Sequence, residues 1–224
     1  MNARIAILAA LSREVAPLVR DWPVRKTRRD GSMICECDRA VVVCAGMGRE
    51  RVTQALALAE MQGPLRSIIS VGYAGGLHSG IARNTIYWPA AVIDARTGER
   101  YGCESGSGTL VTADDVVGHE EKLQMAKRWN ADLIDMEAAA VAGLARMRGL
   151  PFRTLRVVSD EVGDVLPDLN RFIDTRGRFR ETAFAAYVGF HPWLLPAVIR
   201  LGRHTAQASQ AIAQALREVL EHAE

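Results

Sequence analysis

Apolar positions follow two different periods along this chain. Apolar-rich runs, the mark of strands buried on both faces, occur at Ile5–Ala10, Ala40–Cys44, Ser67–Val71 and Phe152–Val158. Between them apolar residues recur every three or four positions, as on a helix with one buried face. Val52, Ala55, Leu56 and Ala59 form such a stripe, stopped by Gly63-Pro64. Ser12 opens a shorter helix carrying Glu14, Val15 and Leu18, and Ser32–Glu36 pairs with Ala40–Cys44 through a turn at Asp38-Arg39. Ser67–Val71 ends in Gly72-Tyr73-Ala74-Gly75-Gly76, where paired glycines suit a turn. Thr85–Asp94 reads as a longer strand interrupted at Pro89, Gly98–Ser107 as a polar loop, and Thr109–Thr112 as a short strand. A helix from about Glu120 to Trp129 precedes the strand Leu133–Ile134 and the helix Met136–Arg148, which Gly149 and Pro151 end. A polar stretch follows to about Arg180, then two helical segments separated by Pro192 and Pro196.

Strands alternating with helices predict an α/β fold, a three-layer α/β/α sandwich around a mixed, mostly parallel sheet. A length of 224 residues suits one domain spanning 1–224, with a helical C-terminal portion from about 181. The apolar start Ile5–Leu11 is followed at once by Arg13 and Glu14, so a buried strand is expected rather than a signal peptide. No run is long and apolar enough for a transmembrane helix.

Composition narrows the choice of function. A net charge of +2 with scattered basic residues argues against nucleic acid as a partner. Cys35 and Cys37 stand one residue apart, which fits neither a redox pair nor a zinc knuckle. His119 lacks the second histidine of a His-Glu-x-x-His helix. No metal, buried free thiols and a cytoplasmic location are therefore expected.

The candidate chemistry gathers where strands end. Open parallel sheets bind ligands beyond the carboxyl ends of their strands. Ser12-Arg13-Glu14, Gly46–Arg49, Gly72–Gly76, Asp114-Asp115 and Ser159-Asp160 all fall there. The most informative stretch is Asp135-Met136-Glu137-Ala138, followed one strand later by Ser159-Asp160. Buried carboxylates need a partner or a task. Pattern alone leaves two readings: an active site, or acids that favour a helix N-terminus and cap a turn. Gly46-Met47-Gly48 invites a dinucleotide reading, but the third glycine of the fingerprint falls on Arg51. What survives is a tight turn whose free N–H groups suit an anion or a ribose oxygen.

Together these segments resemble the nucleoside phosphorylase and nucleosidase superfamily over most of the chain. Ala10–Val15 is similar to its first loop, Ala45–Gly48 and Gly72–Leu77 to its glycine segments, and Val111–Val117 to its base-binding loop. The Met136-Glu137 and Ser159-Asp160 pairs match the nucleosidase branch, which includes methylthioadenosine/S-adenosylhomocysteine nucleosidase. The resemblance implies cleavage of an adenine N-glycosidic bond. Asp160, beside Ser159, is then the acid that protonates the departing purine, with a pKa raised by burial. Glu137 holds the ribose hydroxyls, Met136 packs on the sugar, and Val116 and Val117 line the base. Met47 lies near the 5′ end, and Gly75 with Tyr73 lines the pocket. Glu14 matches the glutamate that activates water, and Arg13 falls where phosphorylases hold phosphate. No cofactor is implied, and inorganic phosphate stays open as a co-substrate. Tyr73 departs from the usual serine, and a bulky phenol in the pocket would disfavour phosphate. A nucleoside-binding protein without activity is the rival from another class.

A second resemblance concerns the later part of the chain. Leu150–Asp160 and Leu194–Leu201 resemble the hopanoid-associated phosphorylase branch, implicated in removing adenine from adenosylhopane. Ordinary nucleosidases are expected to lack this C-terminal portion. Phe184, Tyr187, Phe190, Trp193, Leu194, Leu195, Val198 and Ile199 are apolar there, with Arg176, Arg178, Arg180, Arg200 and Arg203 beside them. Such a segment suits a closing helix or a homodimer interface, or peripheral contact with the inner membrane and a lipid-linked nucleoside. A homodimer is implied by the resemblance alone.

Overall fold

The computed structural model describes residues 2–22, 27–29, 31–164, 170–172, 180–191, 193 and 195–222. In chain order the strands are β1 (Arg4–Ala9), β2 (Thr27–Arg29), β3 (Ser32–Glu36), β4 (Ala40–Cys44), β5 (Leu65–Gly76), β6 (Ile86–Tyr87), β7 (Ala91–Asp94), β8 (Arg100–Gly102), β9 (Thr109–Thr112), β10 (Leu133–Asp135) and β11 (Phe152–Asp160). The helices are α1 (Ser12–Val19), α2 (Arg49–Glu60), α3 (His119–Trp129), α4 (Ala138–Met147), α5 (Glu181–Phe190) and α6 (Leu195–Glu221).

The strands form one mixed sheet of order β2-β3-β4-β1-β5-β10-β9-β7-β8, with β11 also paired to β5. The strands read as continuous apolar runs lie at its centre. β1 is flanked in parallel by β4 and β5, and all residues of β1 and β4 are buried. Helices cover both faces, as the alternation predicts. Val52, Ala55 and Leu56 of α2 pack with Ala138, Val141 and Ala142 of α4 on one face. Val15 and Leu18 of α1 pack with Ile212 and Leu216 of α6 on the other. Cys35 and Cys37 fall on this second face, and all four cysteines are free thiols. A smaller cluster joins Leu77, Val111 and Ile134 to α3.

Four expectations change. The glycine run 72–76 is not a turn after a strand ending at Val71, because β5 continues through it. Its last residues pair with β10 on one edge and β11 on the other, and each glycine supplies backbone hydrogen bonds without bulk. The segment 85–94 is two strands with different partners: β6 on β11, and β7 between β8 and β9. The loop 98–107 contains β8, which returns antiparallel along β7. Pro196 does not separate two helices; it sits at the second position of α6, where no helical N–H is required. Arg176, Arg178 and Leu194 lie outside the described residues.

Candidate active site

The β-strand ends bring the sequence-predicted clusters together. Glu14 lies in the first turn of α1, is 3% exposed, and accepts a hydrogen bond from the Leu11 N–H at 2.9 Å. The backbone N–H of Tyr73 also reaches its carboxylate. Gly72 permits this approach: a Cβ there would stand 3.3 Å from Glu14 Oε1. Gly46 (φ 110°) and Gly48 (φ 89°) turn the chain from β4 into α2 through conformations that side chains disfavour. The turn aims the Gly48 N–H at Glu137 Oε1, 2.9 Å away. Glu14 and Glu137, far apart in the sequence, stand close enough in the fold for the charge of Glu14 to act on Glu137.

Beneath them lies a buried ion pair. Arg156, 1% exposed in β11, donates from Nε (3.0 Å) and Nη2 (2.6 Å) to Asp135 Oδ2 and from Nη2 to Ser70 Oγ (2.8 Å). Asp135 also accepts from Thr112 Oγ1 (2.6 Å) and from the Ala138 N–H (2.9 Å), which opens α4. Asp135 therefore orients the turn carrying Met136 and Glu137. An arginine inside an apolar strand is the signal that would have revealed this pair from sequence. Replacing Arg156 with Met is expected to destabilise the fold by about 3–5 kcal/mol, because Asp135 keeps a charge without its counter-ion. Urea denaturation checks this, and adding Asp135→Asn should recover part of the loss.

Burial raises both glutamates. Glu14 is pushed up to about 7 by loss of solvent, opposed by the Leu11 N–H and by Arg156. Glu137 is raised to about 8 by burial first, then by the neighbouring charges of Asp135 and Glu14. A carboxyl near 7 is matched to taking a proton at neutral pH. Tyr73 stands near Glu14, whose charge acts on its phenol, and its hydroxyl bonds Ser209 (2.7 Å) and the Thr205 carbonyl (3.2 Å) on α6. Arg13 is exposed, and its charge acts on both Glu14 and Tyr73.

β11 and α3 carry the third acid and its partners. The β5–β11 register slips between Val158 and Asp160, placing Asp160 opposite Gly75. Such a bulge re-aims side chains. Ser159 Oγ donates to Asp160 Oδ1 at 2.6 Å, and Lys122 of α3 donates to Oδ2. The acid expected at this position therefore stands against a buried ammonium. Val116 and Val117 are half-buried in the loop between β9 and α3, and Val117 packs on the cluster around Ile134. Arg49 ties this loop to the sheet through Asp114 (2.8 Å) and a two-pronged contact with Asp94 (2.6 and 2.7 Å). Met47 and Met136 are half-buried at the two turns that meet at Glu137. Among the described residues no group of His, Cys, Asp and Glu is placed to hold a metal ion.

The same frame occurs in solved enzymes. Helicobacter pylori MTAN, as an Asp-to-Asn mutant with 5′-methylthioadenosine in its active site, superposes with a TM-score of 0.73 at 14% identity, covering 99% of each chain. The native futalosine hydrolase of the same organism gives 0.72 at 15% identity, covering 98% of this chain and 97% of that one. Arabidopsis thaliana 5′-methylthioadenosine nucleosidase gives 0.71 at 17%, covering 99% and 97%. Because these alignments run nearly end to end, the helical C-terminal portion is not an addition that sets this chain apart from nucleosidases. No curated protein matches it by sequence. The model of the phosphorylase superfamily matches residues 4–106 and 98–190. This match covers most of the chain, including the residues of all three acids, and the chain belongs to the phosphorylase superfamily.

Proposed function

We propose that this protein hydrolyses the N-glycosidic bond of an adenine nucleoside. The observation that carries the reading is Glu14, buried against the Leu11 N–H, raised to about 7, and near enough to the Glu137 carboxyl for its charge to act there. The reaction needs a proton on purine N7, support for a ribosyl cation, and a nucleophile at the anomeric carbon. Asp160 supplies the first, Glu137 with Met136 the second, and water activated by Glu14 the third. The base lies against Val116 and Val117, and Met47 faces the 5′ end. Phosphorolysis, with Arg13 on phosphate, is the alternative nucleophile.

The favoured substrate carries a large apolar 5′ group, as adenosylhopane does; methylthioadenosine or S-adenosylhomocysteine is the alternative. Exposed apolar surface supports the lipid-linked choice. Phe190, Trp193 and Ile199 are 82%, 70% and 48% exposed, beside the exposed Arg180 and Arg203. Arg83 bonds both Asp164, just beyond Asp160, and His204 of α6, which brings this region near the site. Peripheral membrane contact and a homodimer belong to the same proposal. No helix among the described residues is long and apolar enough to cross a membrane.

Adenine release from methylthioadenosine, adenosine and adenosylhopane, each with and without phosphate, tests the reading. Release independent of phosphate is expected, fastest from adenosylhopane. Release only with phosphate would replace water by phosphate, and no release from any of them would leave a binding protein.

A further inference from the structure

Lys122 is a lysine that the sequence presents as one more polar residue of an ordinary helix. In the fold it is 2% exposed. Its ammonium reaches from the second turn of α3, under the loop carrying Val116 and Val117, and donates to Asp160 Oδ2 and to the Glu161 carbonyl (3.0 Å). Burying an ammonium is costly unless it is paired and hydrogen-bonded. The backbone makes room for the pair. A Cβ at Gly75 would stand 3.0 Å from Asp160 Oδ2 and 3.2 Å from Lys122 Cε, closer than such contacts ordinarily come. The capping bond from the Gly118 N–H to Glu121 (3.0 Å) and the contact of His119 Nδ1 with the Val162 carbonyl (2.5 Å) hold the start of α3 against the segment that follows Asp160.

Both oxygens of Asp160 therefore accept hydrogen bonds, one from a hydroxyl and one from an ammonium. An acid that must hand a proton to a purine needs a source for it, and the ammonium is the adjacent one. We infer that Lys122 is the positioning residue that orients Asp160 and replenishes its proton as the base departs. The inference rests on the nucleoside-cleaving reading above. The C–N bond breaks and its electron pair passes into the purine. N7 takes a proton through Asp160, and Lys122 gives one to Asp160. The lysine amine so formed is reprotonated from solvent. Water, its proton taken by Glu14, bonds to the anomeric carbon, Asp160 ends in the protonation state in which it began, and no oxidant or reductant is involved.

Two substrates separate this role from plain packing. An N7-methylated nucleoside already carries the positive charge, so its base leaves without a proton. Lys122→Met is expected to slow cleavage of the unmethylated nucleoside by on the order of 100-fold, within the range of acid–base assistance. Cleavage of the N7-methylated form should stay within about threefold of the unaltered enzyme. The ratio of the two rates within one preparation does not depend on how much of it is folded, and Lys122→Gln is measured the same way if the Met variant does not fold. Equal loss on both substrates would make Lys122 a packing residue and overturn the inference. So would an unchanged or faster rate, because a lone ammonium that merely holds a carboxylate would hinder an acid. In either case the nucleoside-cleaving reading would stand. If the unaltered protein cleaves no nucleoside, that reading fails and the inference falls with it.

Discussion

Asp160→Asn is expected to lower the turnover of an adenine nucleoside by about 10²–10⁴-fold, the usual worth of a positioned acid. The amide keeps the size of the side chain and can still accept from Ser159, so the pocket keeps its shape. It has no acidic proton to give. KM should change little while kcat falls, because the lost interaction is made with the departing base and not with the bound ground state. Steady-state kinetics of adenine release measure both. Full turnover by the variant would remove Asp160 from the chemistry and leave the Ser159-Asp160 bulge as a structural feature. The variant also frees Lys122 from its counter-charge, so denaturation should be measured alongside.

Glu14→Gln is expected to abolish hydrolysis to a similar degree, about 10²–10⁴-fold, and yet to stabilise the fold above neutral pH. The sign follows from the raised pKa. In the unfolded chain the carboxyl ionises at its ordinary value of 4.5, and in the fold only at about 7. Between those values the unfolded state binds fewer protons, so stability falls as pH rises. The penalty is absent below about 4.5 and complete above about 7. A tenfold change in proton affinity is about 1.4 kcal/mol, so the whole penalty is about 3 kcal/mol. The glutamine pays none of it. Urea denaturation at pH 5 and pH 8 should show the variant little changed at the lower pH and more stable at the higher one. A pH-independent difference would mean that Glu14 is not held raised in the fold. In the unaltered enzyme, the same titration makes the rate fall as pH drops below about 7, where the base becomes protonated.

Much of the fold was legible from local pattern. The doubly buried strands β1 and β4 announce themselves as unbroken apolar runs, and the stripe of α2 as a three-four repeat. Positions where Gly must stand, such as Gly46 and Gly48, are visible because no other residue tolerates their backbone. The acids at 14, 137 and 160 were legible for the opposite reason: ionisable groups among apolar neighbours need an explanation.

What escaped the sequence depends on contacts between distant segments. The continuation of β5 through its glycines is decided by β10 and β11, which arrive more than fifty residues later. The short strand β8 has no pattern of its own and exists because β7 offers an edge. The partners of the Tyr73 hydroxyl, Ser209 and Thr205, come from α6, over 130 residues away. Lys122 sits in a helix whose polar residues read as solvated, and only the packing of α3 against β11 turns it inward. The sequence by itself determined which segments are buried and where chemistry can gather, because burial and backbone strain act on single residues and near neighbours. Which charges face one another, Arg156 with Asp135 and Lys122 with Asp160, was decided only by tertiary structure, because a Coulomb interaction depends on separation in space and not along the chain.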